Sequence, residues 1–306
     1  MKSTKNNRPK ALALFSGGLD SILAIKIIQE QNINVEAVFF KLPFIKKQIP
    51  KLENIKIYVL DCTKGKLFQE YLNIIRSPKY GIGSAINPCL DCKIFMFEKA
   101  KQLAKKINAD FIITGEVLAQ RPMSQFKHAL LFDDKKAGLT NKILRPLSAK
   151  LLPETDAEKK GLVNRNKLLD IQGRQRKKQI QLAKRYNLKK YPSPSGGCLL
   201  CESVFAKRLK DLLDNQKQIK PKEVELLRGF RHFRKNKKII LGRNNQENEE
   251  LIKNNKKLNQ NILIPKIPGP VVLYQSKQDK TLAQELQKAY TSKDLNLRKK
   301  FEKFKI

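Results

Sequence analysis

Two sets of residues in this chain have the types and spacing to do chemistry. The first is Phe-Ser-Gly-Gly-Leu-Asp-Ser at 15–21. It follows an apolar run at 11–15 and precedes a stretch with helical spacing, where Ile22, Ile25 and Ile28 recur beside Leu23 and Ile27. Strand, glycine turn and helix in this order aim successive backbone N–H groups into one concavity, with the positive end of the helix behind it. Such a turn holds phosphate. It is not a Walker loop, because no Gly-Lys-Ser/Thr follows.

The second set is cysteine. Cys89-Leu-Asp-Cys92 and Cys198-Leu-Leu-Cys201 are two Cys-x-x-Cys pairs, and Cys62 completes a total of five. Five is few for a disulfide scaffold and odd in number. In a reducing compartment such pairs mean metal, cluster or redox chemistry. A zinc ribbon spaces its pairs by about 15–20 residues; here the gap is about a hundred. The spacing argues for two loops of one domain converging on a site, where soft thiolates suit zinc or an iron–sulfur cluster. Four readings stay open: a structural zinc on four thiolates, a catalytic cluster on three, a metal-free site, and buried cysteines with no joint role. In the metal-free site one cysteine carries a persulfide and another resolves it as a disulfide. Cys92, near a helix start, is expected to have its thiolate stabilised by the helix dipole. With only His128 and His232 in the chain, a histidine-centred mechanism is not expected.

These residues need elements to position them. Short, apolar, β-branched runs at 11–15, 35–40, 55–60, 111–114 and 143–147 alternate with helical stretches at about 21–31, 65–76 and 93–107. That pattern predicts a doubly wound α/β domain on a parallel sheet buried on both faces. Ligands bind outside the carboxyl ends of such strands. The serine–glycine turn, Thr114-Gly115-Glu116 and Arg145-Pro146-Leu147 all fall at those ends. A basic helical stretch occupies 164–190, with Gly173 to Lys178 at its start. A loop with Pro192, Pro194, Gly196 and Gly197 then leads to Cys198. After about residue 215 the character changes. A dense basic run at 228–238 precedes strands expected at 239–241, 262–264 and 271–274 and a helix at about 280–290. The division expected is 1–215 for the α/β domain and 216–306 for a small, basic α+β domain.

Composition narrows the partners. The 306 residues hold 64 Lys+Arg against 28 Asp+Glu, a formal net charge of +36, and 41% hydrophobic residues, enough for a core. A surplus of this size raises the local concentration of polyanions, and nucleic acid is the first candidate. The chain is also rich in Asn and Ile, so part of the lysine excess is compositional. No run reaches the roughly 20 apolar residues of a membrane span. The basic start lacks an apolar region behind it, so no signal peptide and a cytoplasmic location are expected.

Ser-Gly-Gly-x-Asp-Ser resembles the signature of the PP-loop ATP pyrophosphatases, which cleave ATP between its α and β phosphates and adenylate a substrate. The resemblance implies that Ser16, Gly17, Gly18 and Ser21 cradle pyrophosphate and that Asp20 acts near magnesium. Thr114-Gly115-Glu116-Val117-Leu118-Ala119-Gln120, followed by Ser124-Gln125, resembles the Thr-Gly-Glu-x-x-x-Gln…Ser-Gln stretch of the tRNA 4-thiouridine synthetases (ThiI). Leu144-Arg145-Pro146-Leu147 is similar as well. Asn87-Pro88-Cys89-x-x-Cys92 looks more like the tRNA 2-thiouridylases (MnmA), as does the distant cysteine after a glycine-rich loop. The resemblance covers 10–215. It implies ATP binding by Ser16, Gly17, Gly18, Asp20, Ser21, Thr114 and Gly115, and catalysis by Asp20, Cys89, Cys92 and Cys198. It also implies a [4Fe–4S] cluster on Cys89, Cys92 and Cys198, with Cys201 a spare ligand and zinc the alternative. Lys150 and Arg145 are candidates to neutralise phosphate charge. Against that resemblance, neither a THUMP domain ahead of the turn nor a rhodanese domain behind the cysteines is expected.

At 240–248, Ile-Leu-Gly-Arg-Asn-Asn-Gln-Glu-Asn resembles the Gly-Arg-Asn…Asn signature of the RNA-binding domain of NFACT proteins. Arg174, Arg176, Lys177, Arg231, Arg234 and Arg243 are therefore candidate RNA contacts. The function implied is ATP-dependent tRNA thiolation, 4-thiouridine first and 2-thiouridine second, with tRNA and a sulfur donor (sulfide or a persulfide carrier) as partners. A homodimer is compatible with the sequence. The rivals are a PP-loop enzyme acting on a small molecule around structural zinc, such as a 7-cyano-7-deazaguanine synthase, and a non-catalytic RNA-binding protein.

Overall fold

The computed structural model describes residues 8–45, 52–121, 124–188, 191, 197–292 and 294–306. Two compact units result. One comprises Met1–Gly83 and Asn87–Cys198, the other Ser84–Ile86 and Leu199–Ile306. The division falls directly after Cys198, where the change of composition had pointed to residue 215.

The first unit is built on β1 (Lys10–Leu14), α1 (Leu19–Gln29), β2 (Asn34–Lys41), β3 (Ile57–Asp61), α2 (Gly65–Arg76), α3 (Cys89–Lys106), β4 (Phe111–Thr114), α4 (Lys127–Lys136), β5 (Ile143–Leu144), α5 (Asp156–Lys159) and α6 (Lys177–Arg185). All five strands are parallel, in the order β3-β2-β1-β4-β5. This is the doubly wound sheet that the apolar runs predict. Both faces are covered: Ala11, Ala13, Ile113 and α1 share one apolar cluster, while Leu12, Val38, Ile112 and α3 share another. The strand order reverses between β1 and β4, so a crevice opens at their carboxyl ends. The serine–glycine turn follows β1 and Thr114-Gly115-Glu116 follows β4. Strand β5 is only two residues long, because Arg145 leaves the sheet to make buried ion pairs. The helical stretch expected over 164–190 is realised as α6 alone, preceded by a single 3₁₀ turn at Arg165–Lys167.

The second unit contains α7 (Ser203–Asn215), α8 (Pro221–Leu226), β6 (Arg231–Arg234), β7 (Lys238–Leu241), α9 (Asn245–Leu258), β8 (Asn261–Leu263), β9 (Val272–Tyr274), α10 (Lys280–Thr291) and α11 (Leu295–Lys299). Its strands form one antiparallel sheet, β6-β7-β9-β8. The basic run at 228–238 is thus partly a strand. Residues of β6 pair with β7, and Phe233 and His232 point inward. Among the described residues no helix is long and apolar enough to cross a membrane.

Candidate functional site

The turn after β1 is shaped by its own serines. Gly17 adopts φ 73, a left-handed conformation that glycine takes without strain. Ser21 Oγ donates to the Gly18 carbonyl at 2.7 Å and lies 3.3 Å from Ser16 Oγ, whose oxygen also accepts from Gly18 N at 3.4 Å. Helix α1 begins directly after Gly18, so its first N–H groups open at the turn. Gly115 closes the far side. A Cβ there would sit 2.5 Å from Ser21 N and 2.6 Å from the Asp20 carbonyl carbon, closer than real Cβ atoms approach. The glycine of Thr-Gly-Glu is therefore needed for β4 to lie against the start of α1.

The rest of the Thr-Gly-Glu…Ser-Gln stretch is a wiring loop. Thr114 Oγ1 donates to Glu116 Oε2 at 3.2 Å. Glu116 pairs with Lys93 at 2.9 Å and with Arg145 at 3.0 Å. Burial pushes its carboxyl up, but those two cations overcome it and hold the group down at about 2. Arg145 also grips Asp134 through both terminal nitrogens, at 2.8 and 2.7 Å. Lys93 reaches Asp133 at 2.7 Å and donates to the Ser124 carbonyl at 2.5 Å. Ala119 takes φ 58, an uncommon conformation for a residue with a side chain. The next residue, Gln120, donates from Nε2 to Asp20 Oδ2 at 2.8 Å. Arg145 is thus committed to carboxylates and does not offer itself to phosphate as its sequence position had led us to expect. Lys150 is exposed and donates to the Asn166 carbonyl.

The cysteine set lies one residue from this wiring, since Lys93 follows Cys92. Cys89 opens α3 and is exposed, Cys92 is buried, and Cys198 is half-buried. Asp91 accepts from the backbone N–H groups of Lys79 and Tyr80, at 2.8 and 3.2 Å, which ties the preceding loop to the Cys89–Cys92 turn. The chain segments beside the two cysteine loops also meet, Ile86 N donating to the Leu200 carbonyl at 3.3 Å. The three thiols bear on one another. Burial pushes the Cys92 thiol up to about 12; the Tyr71 hydroxyl, 3.3 Å from its sulfur, opposes this, and the Cys198 and Cys89 thiols add to it. The dipole effect expected at a helix start is worth less than the loss of water at this position. Cys92 is therefore a neutral thiol at pH 7, which corrects the thiolate anticipated for it.

Three thiols with the neighbouring carboxylate engaged elsewhere have the donor chemistry of an iron–sulfur centre. They are gathered but not closed into a cage: among the described residues no three His, Cys, Asp or Glu side chains are disposed to hold a metal ion. Cys201 is exposed and belongs to the second unit. Of the glycine-rich loop before Cys198, residues 192–196 lie outside the described residues. Cys62 is buried directly after β3, and its thiol is pushed up to about 12 by burial.

The five arginines and one lysine singled out for RNA divide sharply. Arg174 and Lys177 are exposed at the start of α6. Arg176, between them, is paired with Asp20 at 3.8 Å. In the second unit Arg234 is held by both oxygens of Asp211, at 2.5 and 2.8 Å, and Arg243 is paired with Glu247. Arg231 donates to the Gly242 carbonyl at 3.0 Å and lies over the Tyr290 ring. The Gly-Arg-Asn…Asn signature is equally internal. Asn244 caps α9, and Asn248 accepts from Val271 N at 2.9 Å and donates to the Gly269 carbonyl at 3.0 Å. A Cβ on Gly242 would meet Asn248 Oδ1 at 2.1 Å.

Comparison with known proteins places this geometry in a family context. The family model described as thiamine biosynthesis protein (ThiI) matches residues 7–150. A probable tRNA sulfurtransferase of Ureaplasma parvum serovar 3 is 32% identical over 126 residues, 36% of this chain and 30% of that protein. The tRNA-specific 2-thiouridylases MnmA of Campylobacter hominis and Petrotoga mobilis are 29% identical over 120 residues and 28% over 140. These matches cover 35% and 38% of this chain and 31% and 38% of the relatives. The chain thus spans about a third of the length of the curated relatives it matches.

Proposed function

We infer that this chain, whose residues 7–150 match the ThiI family model, is an ATP-dependent tRNA sulfurtransferase. It adenylates a uridine carbonyl oxygen and replaces that oxygen with sulfur. The observation that carries the reading is the phosphate turn after β1 and a three-thiol set in the same unit, joined through Lys93 and Glu116.

ATP lies at the crevice with its pyrophosphate on the turn of Ser16, Gly17, Gly18 and Ser21. Asp20 keeps one buried carboxylate oxygen without a hydrogen-bond partner, which suits a magnesium ion that would screen the phosphates. The uridine oxygen attacks the α-phosphorus, the bond to the bridging oxygen breaks, and pyrophosphate leaves with the electron pair. The base is left as a carbon–oxygen–AMP ester, and AMP is a far better leaving group than hydroxide. A sulfur nucleophile then adds at that carbon and AMP departs. A [4Fe–4S] cluster on Cys89, Cys92 and Cys198 would supply, when bound, an iron with an open position for sulfide.

The protein's thiols alone support a second delivery route, favoured by the contrast between exposed Cys89 and buried, neutral Cys92. A Cys198 persulfide attacks with its outer sulfur. Cys89 thiolate then attacks the Cys198 sulfur and breaks the sulfur–sulfur bond, so the thiolated base is released and a Cys89–Cys198 disulfide remains for an external dithiol to reduce.

The MnmA relatives keep 2-thiouridine beside 4-thiouridine as the product. Incubation of anaerobically purified protein with ATP, unmodified tRNA and sulfide tests the reading. AMP and one thiolated uridine, identified by nucleoside mass spectrometry, are expected. No AMP with any tRNA would refute it. Stoichiometric iron with loss of thiolation on chelation supports the cluster route, and thiolation by metal-free protein supplied with a persulfide donor in place of sulfide supports the persulfide route.

A further inference from the structure

Three buried polar atoms beside the phosphate turn have no hydrogen-bond partner: Asp20 Oδ1, Arg176 Nε and Gln179 Oε1. They belong to one network. Asp20 Oδ2 accepts from Gln120 at 2.8 Å, and Gln120 Oε1 in turn accepts from Gln179 Nε2 at 2.9 Å. Gln179 is wholly buried. Arg176 stands three residues before Gln179, one turn away on α6, a helix that packs on α1. Its guanidinium is 3.8 Å from Asp20, too long for a well-made hydrogen bond. A guanidinium carries several donors in a fixed fork that matches phosphate oxygens two at a time. Here the fork is largely withdrawn from solvent, with 23% of the side chain exposed, and its Nε–H is buried without a hydrogen-bond partner.

We propose that Arg176 binds the β- and γ-phosphates of ATP and stabilises the departing pyrophosphate. The inference deepens the adenylation reading and rests on it. The network explains how Arg176 is kept ready. Gln179 and Gln120 fix one oxygen of Asp20, and the other oxygen holds the guanidinium at the rim of the turn by charge alone. When triphosphate fills the turn, the phosphate oxygens offer Arg176 the short, paired hydrogen bonds that Asp20 does not. As the α-phosphorus to bridging-oxygen bond breaks, charge accumulates on the pyrophosphate, where a preset cation lowers the barrier most. The flanking residues Arg174 and Lys177 face solvent and serve as internal controls.

The test uses the full chain and calorimetric titration with ATP, inorganic pyrophosphate and AMP, with tRNA affinity measured in parallel. Arg176→Ala is expected to weaken ATP and pyrophosphate by about tenfold or more, the usual worth of a charge-assisted hydrogen bond, and to leave AMP and tRNA binding unchanged. Arg176→Lys, which keeps the charge but loses the fork, is expected to weaken the same two ligands less, and it decides the matter if the alanine variant does not fold. Arg174→Ala is expected to leave all three nucleotide titrations unchanged. Unaltered ATP and pyrophosphate binding in Arg176→Lys and Arg176→Ala would overturn the proposal. So would a loss of tRNA affinity with nucleotide binding intact, which would return Arg176 to RNA contact. If the unsubstituted chain binds neither ATP nor pyrophosphate, the adenylation reading falls along with it.

Discussion

At the level of single residues, the site separates side chains that resemble one another in the sequence. Cys89 and Cys92 are the two cysteines of one signature, yet one faces solvent and the other is sealed beneath Tyr71. The exposed thiol keeps its water and the sealed one loses it. Timed alkylation at pH 7.5, read by mass spectrometry, is expected to label Cys89 first. Cys92 is expected to react more than about tenfold more slowly, because its thiolate fraction is depleted by desolvation. Equal rates would remove the basis for assigning the resolving role to Cys89. Gly115 makes a second residue-level case. Gly115→Ala forces the Ser21 and Asp20 backbone to retreat, and an overpacked contact of this kind costs about 1–3 kcal/mol. A thermal melt and ATP titration are expected to show both a less stable protein and a weaker nucleotide site. The sequence displayed these residues plainly but not their environments. Nothing in the spelling of Arg234, Arg243 or Arg231 shows that Asp211, Glu247 and the Gly242 carbonyl have already engaged them. Partners 23 and 11 residues away are a product of folding.

At the level of elements, strand and helix positions in the first unit followed the apolar runs closely, since a strand covered on both faces must be apolar throughout. Strand β6 was hidden because a basic run reads as solvated charge; the burial of the adjacent His232 and Phe233 between Arg231 and Arg234 is legible only once β7 is opposite. Helix α9 was hidden for a different reason, its polar composition of Asn, Glu and Lys leaving a narrow apolar stripe. The ionic joint of Lys93, Glu116, Arg145 and Asp134 ties α3, β4, α4 and β5 together. Glu116→Gln would leave Lys93 and Arg145 short of a carboxylate, a loss of about 3–5 kcal/mol for a broken buried pair. Because the folded-state carboxyl sits below its ordinary 4.5, this stabilisation is present above that pH and disappears as pH falls towards 2. Denaturant melts of the two proteins are therefore expected to diverge at pH 7 and converge in acid. Lys238 in β7 gives a slope of the same sign in alkali, although here the folded-state charge is a burden and not a gain. Burial pushes its ammonium down to about 8 from 10.5, against the pull of Asp211. The unfolded chain binds the extra proton between those values, so stability rises with pH across that window. Lys238→Met is expected to abolish the rise and to raise stability at pH 7 by up to about 3 kcal/mol, Arg234 remaining to satisfy Asp211.

For the whole molecule, the large positive charge is a statement about partners, and it was visible from composition alone. Which cations would meet RNA on the proposed reading was not, because four of the six named ones are engaged within their own unit. Filter binding of tRNA over a range of salt is expected to give a steep slope. Alanine at Arg174 and at Lys177 should each reduce that slope by about 1. Arg234→Ala should lower thermal stability instead, with the slope unchanged. A slope insensitive to both exposed positions would move RNA docking away from the start of α6.

Lys93 follows Cys92 without an intervening residue and reaches the carboxylate of the nucleotide side. On the proposed reading, sulfur handling and ATP handling therefore hang from one hinge pin. Damage to that pin would be felt by both half-reactions together, so a variant that spends ATP yet delivers no sulfur must be sought among the thiols themselves and not in the framework that carries them.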